Sequence, residues 1–318
     1  MTPSSFQERP TCPSCGGRER TIHIAFPEIP VVRCTRCEFL YSGRVLNAEE
    51  IDRYYQQDFG STRHREGQLV NARVNARLVR RLLGSEPTGT LLDVGTGYGF
   101  LLHELRRLTG LQLFGVELSQ QEASYAREHL GLEVVNASLA RSGLRAGSFD
   151  LVTSFEVIEH HPTPQPFLEE MAAMVKHGGH LLVMTDNFES RLARQLGPGF
   201  PKWIPHSHIS HFSAATLERA LGRLEGFEIV ARCSYSPWEI HARVLRRRLS
   251  RRTVTPEAAF RLEEELATEM SGTYRWFHLR KLINPAWARL TVSERMDGDL
   301  IYFLLRRTRS NTGSAPAS

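Results

Sequence analysis

The chain lacks any apolar run approaching the roughly 20 residues that a membrane-spanning helix needs. Its opening stretch, MTPSSFQERP, has no apolar core of the kind a secretory signal carries, so a cytoplasmic protein is expected. Net charge is small, formally +5 over 318 residues, which permits anionic partners without demanding them. No basic stripe interleaved with aromatics is present, and that counts against RNA as a partner. Cysteine is scarce. Four of the five cysteines fall before residue 38 as two C-x-x-C pairs, and a reducing compartment with bound metal is the natural reading. The remainder is the composition of a globular protein, long enough for one large domain or two modest ones.

What the chain does have is a glycine turn. Residues 90–102 read TLLDVGTGYGFLL. Leu91, Leu92 and Val94 suit a buried parallel strand, Gly95, Gly97 and Gly99 a turn, and Leu101, Leu102 and Leu105 a helix. Strand, glycine turn and helix together face backbone N–H groups toward a ligand at the sheet's carboxyl end. The spacing is G-x-G-x-G rather than that of the dinucleotide fingerprint, and Asp93 stands two residues before the first glycine. A carboxylate there repels a pyrophosphate and suits an ammonium. Glu117 ends a second apolar run, 111–116, eighteen residues after Gly99, and can accept both hydroxyls of a ribose. A nucleoside with a cationic amino-acid arm fits all three observations.

On LLDVGTGYG and GVELS the chain resembles the class I S-adenosylmethionine (SAM) methyltransferases. The resemblance implies an α/β fold with a doubly wound, seven-stranded, Rossmann-like sheet. It also implies SAM as cofactor, held by Asp93, Gly95, Thr96, Gly97, Gly99, Glu117, Leu118, Ser138 and Phe155.

Ahead of this core, Cys12, Cys15, Cys34 and Cys37 can close a tetrahedral structural zinc site. Two strands, 21–26 and 28–33, complete a zinc ribbon over 1–42. Packing on the enzyme and shaping its substrate entrance is the favoured role of this ribbon, ahead of nucleic-acid binding. A helical cap is expected over 43–84. It opens at a capping box, Asn47 to Glu50, carries Ile51, Tyr54, Tyr55 and Phe59, and continues in a helix over 68–83. The core spans 85–308, with strands near 90–94, 111–116, 132–136, 149–154, 180–185, 227–232 and 300–305. Helices are expected near 98–108, 119–130 and 165–177. Two irregular segments interrupt it: a substrate lid loop at 186–212 with three histidines, and a helical insertion at 237–297. The insertion begins with six arginines from Arg243 to Arg252 and a helix over 256–270; phosphates or a peripheral anionic membrane surface would suit the arginines, as would plain solvent. A disordered tail is expected over 309–318, and Cys233 reads as a buried, inert thiol.

The chemistry is expected after the fourth core strand, in SFEVIEHHP. On a helical turn Glu156, Glu159 and His160 fall at i, i+3 and i+4 and point one way. The segment is similar to E-V-x-E-H of the ubiquinone-pathway O-methyltransferases and of the small-RNA 2′-O-methyltransferases. In the RNA group two glutamates and two histidines hold a divalent ion. The resemblance therefore implies His208 as a fourth site residue and makes Glu156, Glu159, His160 and His208 a candidate second metal site. An oxygen nucleophile must lose its proton as it attacks the sulfonium methyl, either to neutral His160 or to a metal-lowered pKa. The preferred reading is methyl transfer to a hydroxyl, or carbon, of a small molecule such as a sugar, natural product or lipid-linked intermediate. The alternatives are an RNA 2′-O- or base methyltransferase and a non-catalytic SAM-binding scaffold. The sequence leaves the acceptor and the oligomeric state open.

Overall fold

A computed structural model describes residues 6–47, 62–84, 87–250, 253–261 and 277–308. The expected capping box beyond Asn47, the aromatics Tyr54, Tyr55 and Phe59, Arg251 and Arg252, most of the helix expected over 256–270, and the tail lie outside them.

The N-terminal module is built from five short strands: β1 (Phe6–Glu8), β2 (Arg20–Ile24), β3 (Val31–Cys34), β4 (Leu40–Ser42) and β5 (Arg44–Leu46). β1 pairs with β5, while β2, β3 and β4 form an antiparallel sheet. Helix α1 (Thr62–Leu83) follows and leads into the core.

In the core, β6 (Thr88–Val94), α2 (Phe100–Leu108), β7 (Gly110–Glu117), α3 (Gln120–Leu130), β8 (Glu133–Asn136), β9 (Phe149–Phe155), α4 (Pro164–Met174) and β10 (Val175–Asp186) alternate as expected. Then come α5 (Arg191–Leu196), β11 (Ser210–His211), α6 (Ala214–Leu221), β12 (Phe227–Tyr235), α7 (Trp238–Ser250), α8 (Pro256–Ala259), α9 (Phe277–Thr291) and β13 (Leu300–Arg307). Seven strands make one sheet in the order β12-β13-β10-β9-β6-β7-β8. The five from β10 to β8 run parallel, and β13 is antiparallel to both of its neighbours.

Strands buried on both faces must be apolar at successive positions. Leu91 and Leu92, Leu151 and Val152, and Leu181 to Met184 meet that demand, none of them more than 2% exposed. Their side chains alternate between faces. Leu92, Val152, Leu181 and Val183 pack with Phe167, Leu168 and Met171 of α4 on one side. Leu91, Leu151, Leu182 and Met184 pack with Val74, Leu78 and Val79 of α1 and Leu102 and Leu105 of α2 on the other. The helix expected to reach residue 177 stops at Met174, because β10 begins at Val175 and bulges across Gly178 and Gly179. Gly178 has φ 75°, and a Cβ on Gly179 would sit 2.9 Å from the Asp150 carbonyl oxygen. Cys233 is buried, and burial raises its thiol to about 11, the inert state expected of it.

The insertion is helical where it is described. α9 lies against α1, while α7 is tied to α5: Arg247 donates to the Leu196 carbonyl and Arg248 to Gln195 Oε1 at 2.6 Å. At least these two arginines of the cluster make protein contacts.

A buried polar bond ties α1 to the sheet. The buried Tyr302 hydroxyl donates to Asn75 Oδ1 at 2.8 Å. Tyr302→Phe leaves that buried amide oxygen without its donor and is expected to cost about 1–3 kcal/mol. Urea unfolding measures the loss; an unchanged midpoint would mean that this bond adds nothing to the hold on α1.

Candidate active site

The glycine turn lies at the carboxyl end of β6, as its sequence requires. Gly95, Gly97 and Gly99 all have φ between 57° and 78°, a region that costs a residue with a Cβ. Space is also short: a Cβ on Gly95 would stand 2.5 Å from Val157, and one on Gly97 would run into the Gln68 amide. Glu117 ends β7 beside the turn, where its carboxylate accepts N–H bonds from Gly97 and Ser119, each 2.8 Å. Burial, with Glu122 nearby, raises it to about 7. Leu118 next to it is 65% exposed, and Asn136 braces the turn by donating to the Glu117 and Leu118 carbonyls. Thr96 is buried, while Ser138 and Phe155 are half-buried. Asp93 lies deeper, 3% exposed, accepting the Thr153 hydroxyl at 2.6 Å, and burial raises it to about 6.

Gln68 of α1 reaches into the same turn. Its Oε1 accepts from Tyr98 N–H at 3.0 Å and its amide donates to Glu122 at 3.1 Å. No local pattern signals this contact, because a polar residue on a helix reads as solvent-facing.

The chemical segment departs from the expected helical turn. β9 ends at Phe155, and Glu156 takes φ 54°, rare for a residue with a side chain. A single 3-10 turn, Ile158–His160, follows. Glu156, Glu159 and His160 still converge, because the left-handed residue redirects the chain at the strand's end. Glu156 accepts from Asn71 of α1 at 3.0 Å and from Lys202 at 2.7 Å. Glu159 is fully buried, with Oε2 accepting the Thr185 hydroxyl at 2.7 Å and Oε1 without a hydrogen-bond partner among the described residues. Burial, Asp186 and Glu156 push it well above the usual glutamate value. His160 Nδ1 lies 3.0 Å from the Ser207 carbonyl oxygen. Since a carbonyl only accepts, Nδ1 carries the proton and Nε2 is the basic nitrogen. Burial lowers the ring to about 4, so it is neutral at physiological pH.

His208 joins the cluster as anticipated. It donates from Nδ1 to the Lys202 carbonyl at 3.1 Å, and its ring meets that of His160 edge to face at 4.7 Å. Glu159, His160 and His208 bring ligand atoms within 4.8 Å of one another, as do Glu156, Glu159 and Asp186. The four residues expected to share one ion therefore divide between two groups.

Asp186 and Lys202 complete the centre and were missed as site residues. Asp186, fully buried at the end of β10, has Oδ1 3.1 Å from Lys202 Nζ. Burial raises it to about 7 despite Lys202. Its place after the fifth core strand was the available signal; for Lys202 there was only its being the one lysine between 187 and 213.

The segment 186–212, expected as a lid loop, carries Lys202 and His208 and is no open loop. It holds α5 and a buried set, Phe188, Leu192, Leu196, Phe200 and Trp203, which packs with Phe26, Val31 and Leu40 of the N-terminal module and with Ile240 and Val244 of α7. Its β11 extends the module's sheet as a fourth strand on β4. Arg9 donates to the carbonyls of Ile209 and Pro162, each 2.8 Å, and Ser42 donates to that of Pro205 at 2.7 Å. His206 and His211, both buried, brace this packing: His206 stacks on Phe260 and His211 sits against Phe188 and Trp203.

In the module, Cys12 and Cys37 have their sulfurs 3.6 Å apart, and so do Cys15 and Cys34. That is far beyond a disulfide bond of about 2.05 Å. It is close to the edge of about 3.8 Å of a tetrahedron with metal–sulfur bonds of about 2.3 Å.

A family model described as "Methyltransferase domain" matches residues 63–232, the run from α1 through most of β12. The chain belongs to the SAM-dependent methyltransferase family. The ubiquinone biosynthesis O-methyltransferase of Marinobacter nauticus is 38% identical over 105 residues, 30% of this chain and 43% of that protein. Its counterpart from Nitrosococcus oceani is 37% identical over 103 residues, again 30% of this chain and 43% of the relative. The matched part thus spans less than half of these relatives. Phosphoethanolamine N-methyltransferase 2 of Haemonchus contortus, solved with SAM, shares the fold at 13% identity and a TM-score of 0.52, over 85% of this chain and 63% of that one. A SAM-dependent methyltransferase of Thermotoga maritima gives a TM-score of 0.50 at 19% identity, over 82% of this chain and 96% of its own.

The seam between module and lid yields a prediction. Arg9→Ala removes two charged hydrogen bonds, each typically about 1.5–3 kcal/mol. Amide exchange at Ile209, Ser210 and His211 should then accelerate at least about tenfold while β9 and β10 stay protected. Unchanged exchange in the lid would show that the β11–β4 pairing, Ser42 and apolar packing hold it without Arg9.

Proposed function

We propose that the protein transfers the methyl group of SAM to a hydroxyl, or a carbon, of a small-molecule acceptor such as a sugar, a natural product or a lipid-linked intermediate, with His160 receiving the acceptor's proton. The observation that carries this reading is the state of His160. It is neutral, its proton is fixed on Nδ1 by the Ser207 carbonyl, and it stands with Glu156 and Glu159 at the carboxyl end of β9. The O-methyltransferases among the curated relatives support an oxygen as the attacked atom.

The residues at the glycine turn fit SAM. Exposed Leu118 offers an apolar face to the adenine, Glu117 a carboxylate to the ribose hydroxyls, and the turn's N–H groups the approach that a Cβ would block. When bound, SAM supplies a methyl on a positively charged sulfur. Asp93, beneath the turn, contributes negative charge from its place beside Thr153. α1 covers the turn through Gln68 and reaches the chemical segment through Asn71. Neutral His160 takes the proton that the acceptor oxygen loses.

The four thiolates fit one zinc ion. It would fix the two cysteine turns and hence the sheet that receives β11. In this reading the ribbon serves the site rather than RNA, since its β4 edge is occupied by the lid. A second divalent ion would find a partial set in Glu159, His160 and His208, while Glu156 is engaged by Lys202 and Asn71. We therefore assign proton removal to His160 directly.

Three measurements test the reading. His160→Ala should leave SAM affinity near wild type and lower methyl transfer by at least about a hundredfold; unchanged turnover would remove His160 from the reaction. Ribose binding needs the Glu117 carboxylate, whose pKa burial has raised to about 7. SAM binding therefore requires loss of that proton at lower pH, and affinity should fall as pH drops below about 7, approaching tenfold per unit. Calorimetric titrations across that range check it; a flat profile in wild type would take Glu117 away from the ribose. Metal analysis should return one zinc per chain, lost together with lid protection on substituting Cys34 by Ser.

A further inference from the structure

Three carboxylates close on one another at the reaction centre. Glu156 and Glu159 come from the turn after β9 and Asp186 from the end of β10, with an oxygen from each lying within 4.8 Å of the others. Glu159 and Asp186 are fully buried. Such a set away from water either takes up protons or gains a counter-charge. A divalent ion is one solution. This chain holds another: Lys202 Nζ lies 2.7 Å from Glu156 Oε1 and 3.1 Å from Asp186 Oδ1. The ammonium is well placed to stay ionised, since Asp186 and Glu156 outweigh its burial and hold it well above the usual lysine value. Its backbone also matters, as the Lys202 carbonyl accepts the His208 Nδ1 proton and so orients the second histidine.

We propose that Lys202 is the resident cation of this centre: it occupies the place between Glu156 and Asp186 that a divalent ion would take, and its ammonium is the positive charge presented to the acceptor oxygen. The inference rests on the methyl-transfer reading. In that step the acceptor O–H bond breaks and its proton passes to His160 Nε2. The oxygen's electron pair forms the new O–CH3 bond, and the pair of the broken S–CH3 bond returns to sulfur, leaving S-adenosylhomocysteine. Negative charge builds on the oxygen as the proton leaves, and a fixed cation stabilises it without reorganisation. A free ion entering between Glu156 and Asp186 would have to displace the ammonium.

Manganese is the probe, its free ion followed by paramagnetic resonance as zinc-loaded full-length protein is added. Wild type should take up no Mn²⁺ at this cluster. Lys202→Met, which keeps the stem and removes the charge, should take up about one ion per chain, because Glu156 and the buried Asp186 then lose their shared cation. Adding Asp186→Asn to that variant should abolish the uptake, and Lys202→Arg, which keeps the charge, should show none. With an acceptor in hand, Lys202→Met should lower kcat by at least about a hundredfold and leave SAM affinity within about twofold. The rate of wild type should be indifferent to a chelator that leaves the ribbon's zinc in place.

Uptake of Mn²⁺ by wild type that is lost in Asp186→Asn would overturn the proposal, and so would a folded Lys202→Met that takes up none. Should Lys202→Met fail to fold, wild type and Lys202→Arg still decide, since Mn²⁺ uptake by either at this cluster refutes the assignment. Failure of the methyl-transfer reading would appear separately, as absence of SAM binding in a protein whose manganese behaviour is as expected.

Discussion

The proposed reaction centre depends on a short piece of backbone pairing between segments far apart in sequence. Ser210 and His211 lie antiparallel to Tyr41 and Leu40, which makes the end of the lid a strand of the cysteine module. That pairing, with Arg9 and Ser42 holding the carbonyls around it, fixes where Lys202, Ser207 and His208 stand. Without it the sheet would still form, because its core is made by its own helices on both faces. The acids at the ends of β9 and β10 would then lack their cation, and His160 would lack the carbonyl that sets its tautomer.

The second constraint is electrostatic. The centre buries Glu159 and Asp186 and engages Glu156, and burial by itself pushes carboxyl groups toward their neutral forms. Lys202 divides its attention between Glu156, which stays ionised below the ordinary glutamate value, and Asp186, which burial still carries to about 7. The outcome is a set of neighbouring groups with widely separated proton affinities: a neutral histidine, an ionised glutamate and carboxyls that hold their protons more tightly. Separation of that kind lets one site hold an acid and a base together. The same arrangement limits how pH acts on stability. His208 and His211, buried, and His160, half-buried, are held in neutral form, so their contribution is lost as pH falls below about 6.5. Asp93, Glu117 and Asp186 have raised values and act in the opposite sense between their ordinary carboxyl range and about 7.

Backbone geometry supplies the third element. Glu156 sits at φ 54° between a strand and a 3-10 turn. A left-handed non-glycine residue costs energy that surrounding contacts must hold in place. Here Asn71, Lys202 and the N–H bond from Glu156 to the Met184 carbonyl, 3.0 Å, do so. The side chain is thereby turned toward the lid instead of continuing the alternation of β9.

The sequence by itself determined the alternating core, the glycine turn with Glu117, the two cysteine pairs and the clustering of Glu156, Glu159 and His160 within one short segment after β9. Each is set by local rules: apolar runs for strands buried on both faces, glycine where φ is positive, and spacings of two to four residues. His208 was legible only through family resemblance. Lys202, Asn71, Gln68 and Asp186 took their roles from the tertiary structure, since nothing in a local window says that a lysine after Pro201 will meet carboxylates 16 and 46 positions earlier. The helical turn expected at Glu156 was replaced for the same kind of reason, because the end of β9 and the lid, not the i, i+4 spacing, dictate the path there. Likewise 186–212 read as a loop for its prolines and histidines, and folded into a packed layer once the cysteine module and α7 gave its aromatics something to bury against. Local chemistry chose the parts, and long-range packing decided which of them would share a charge.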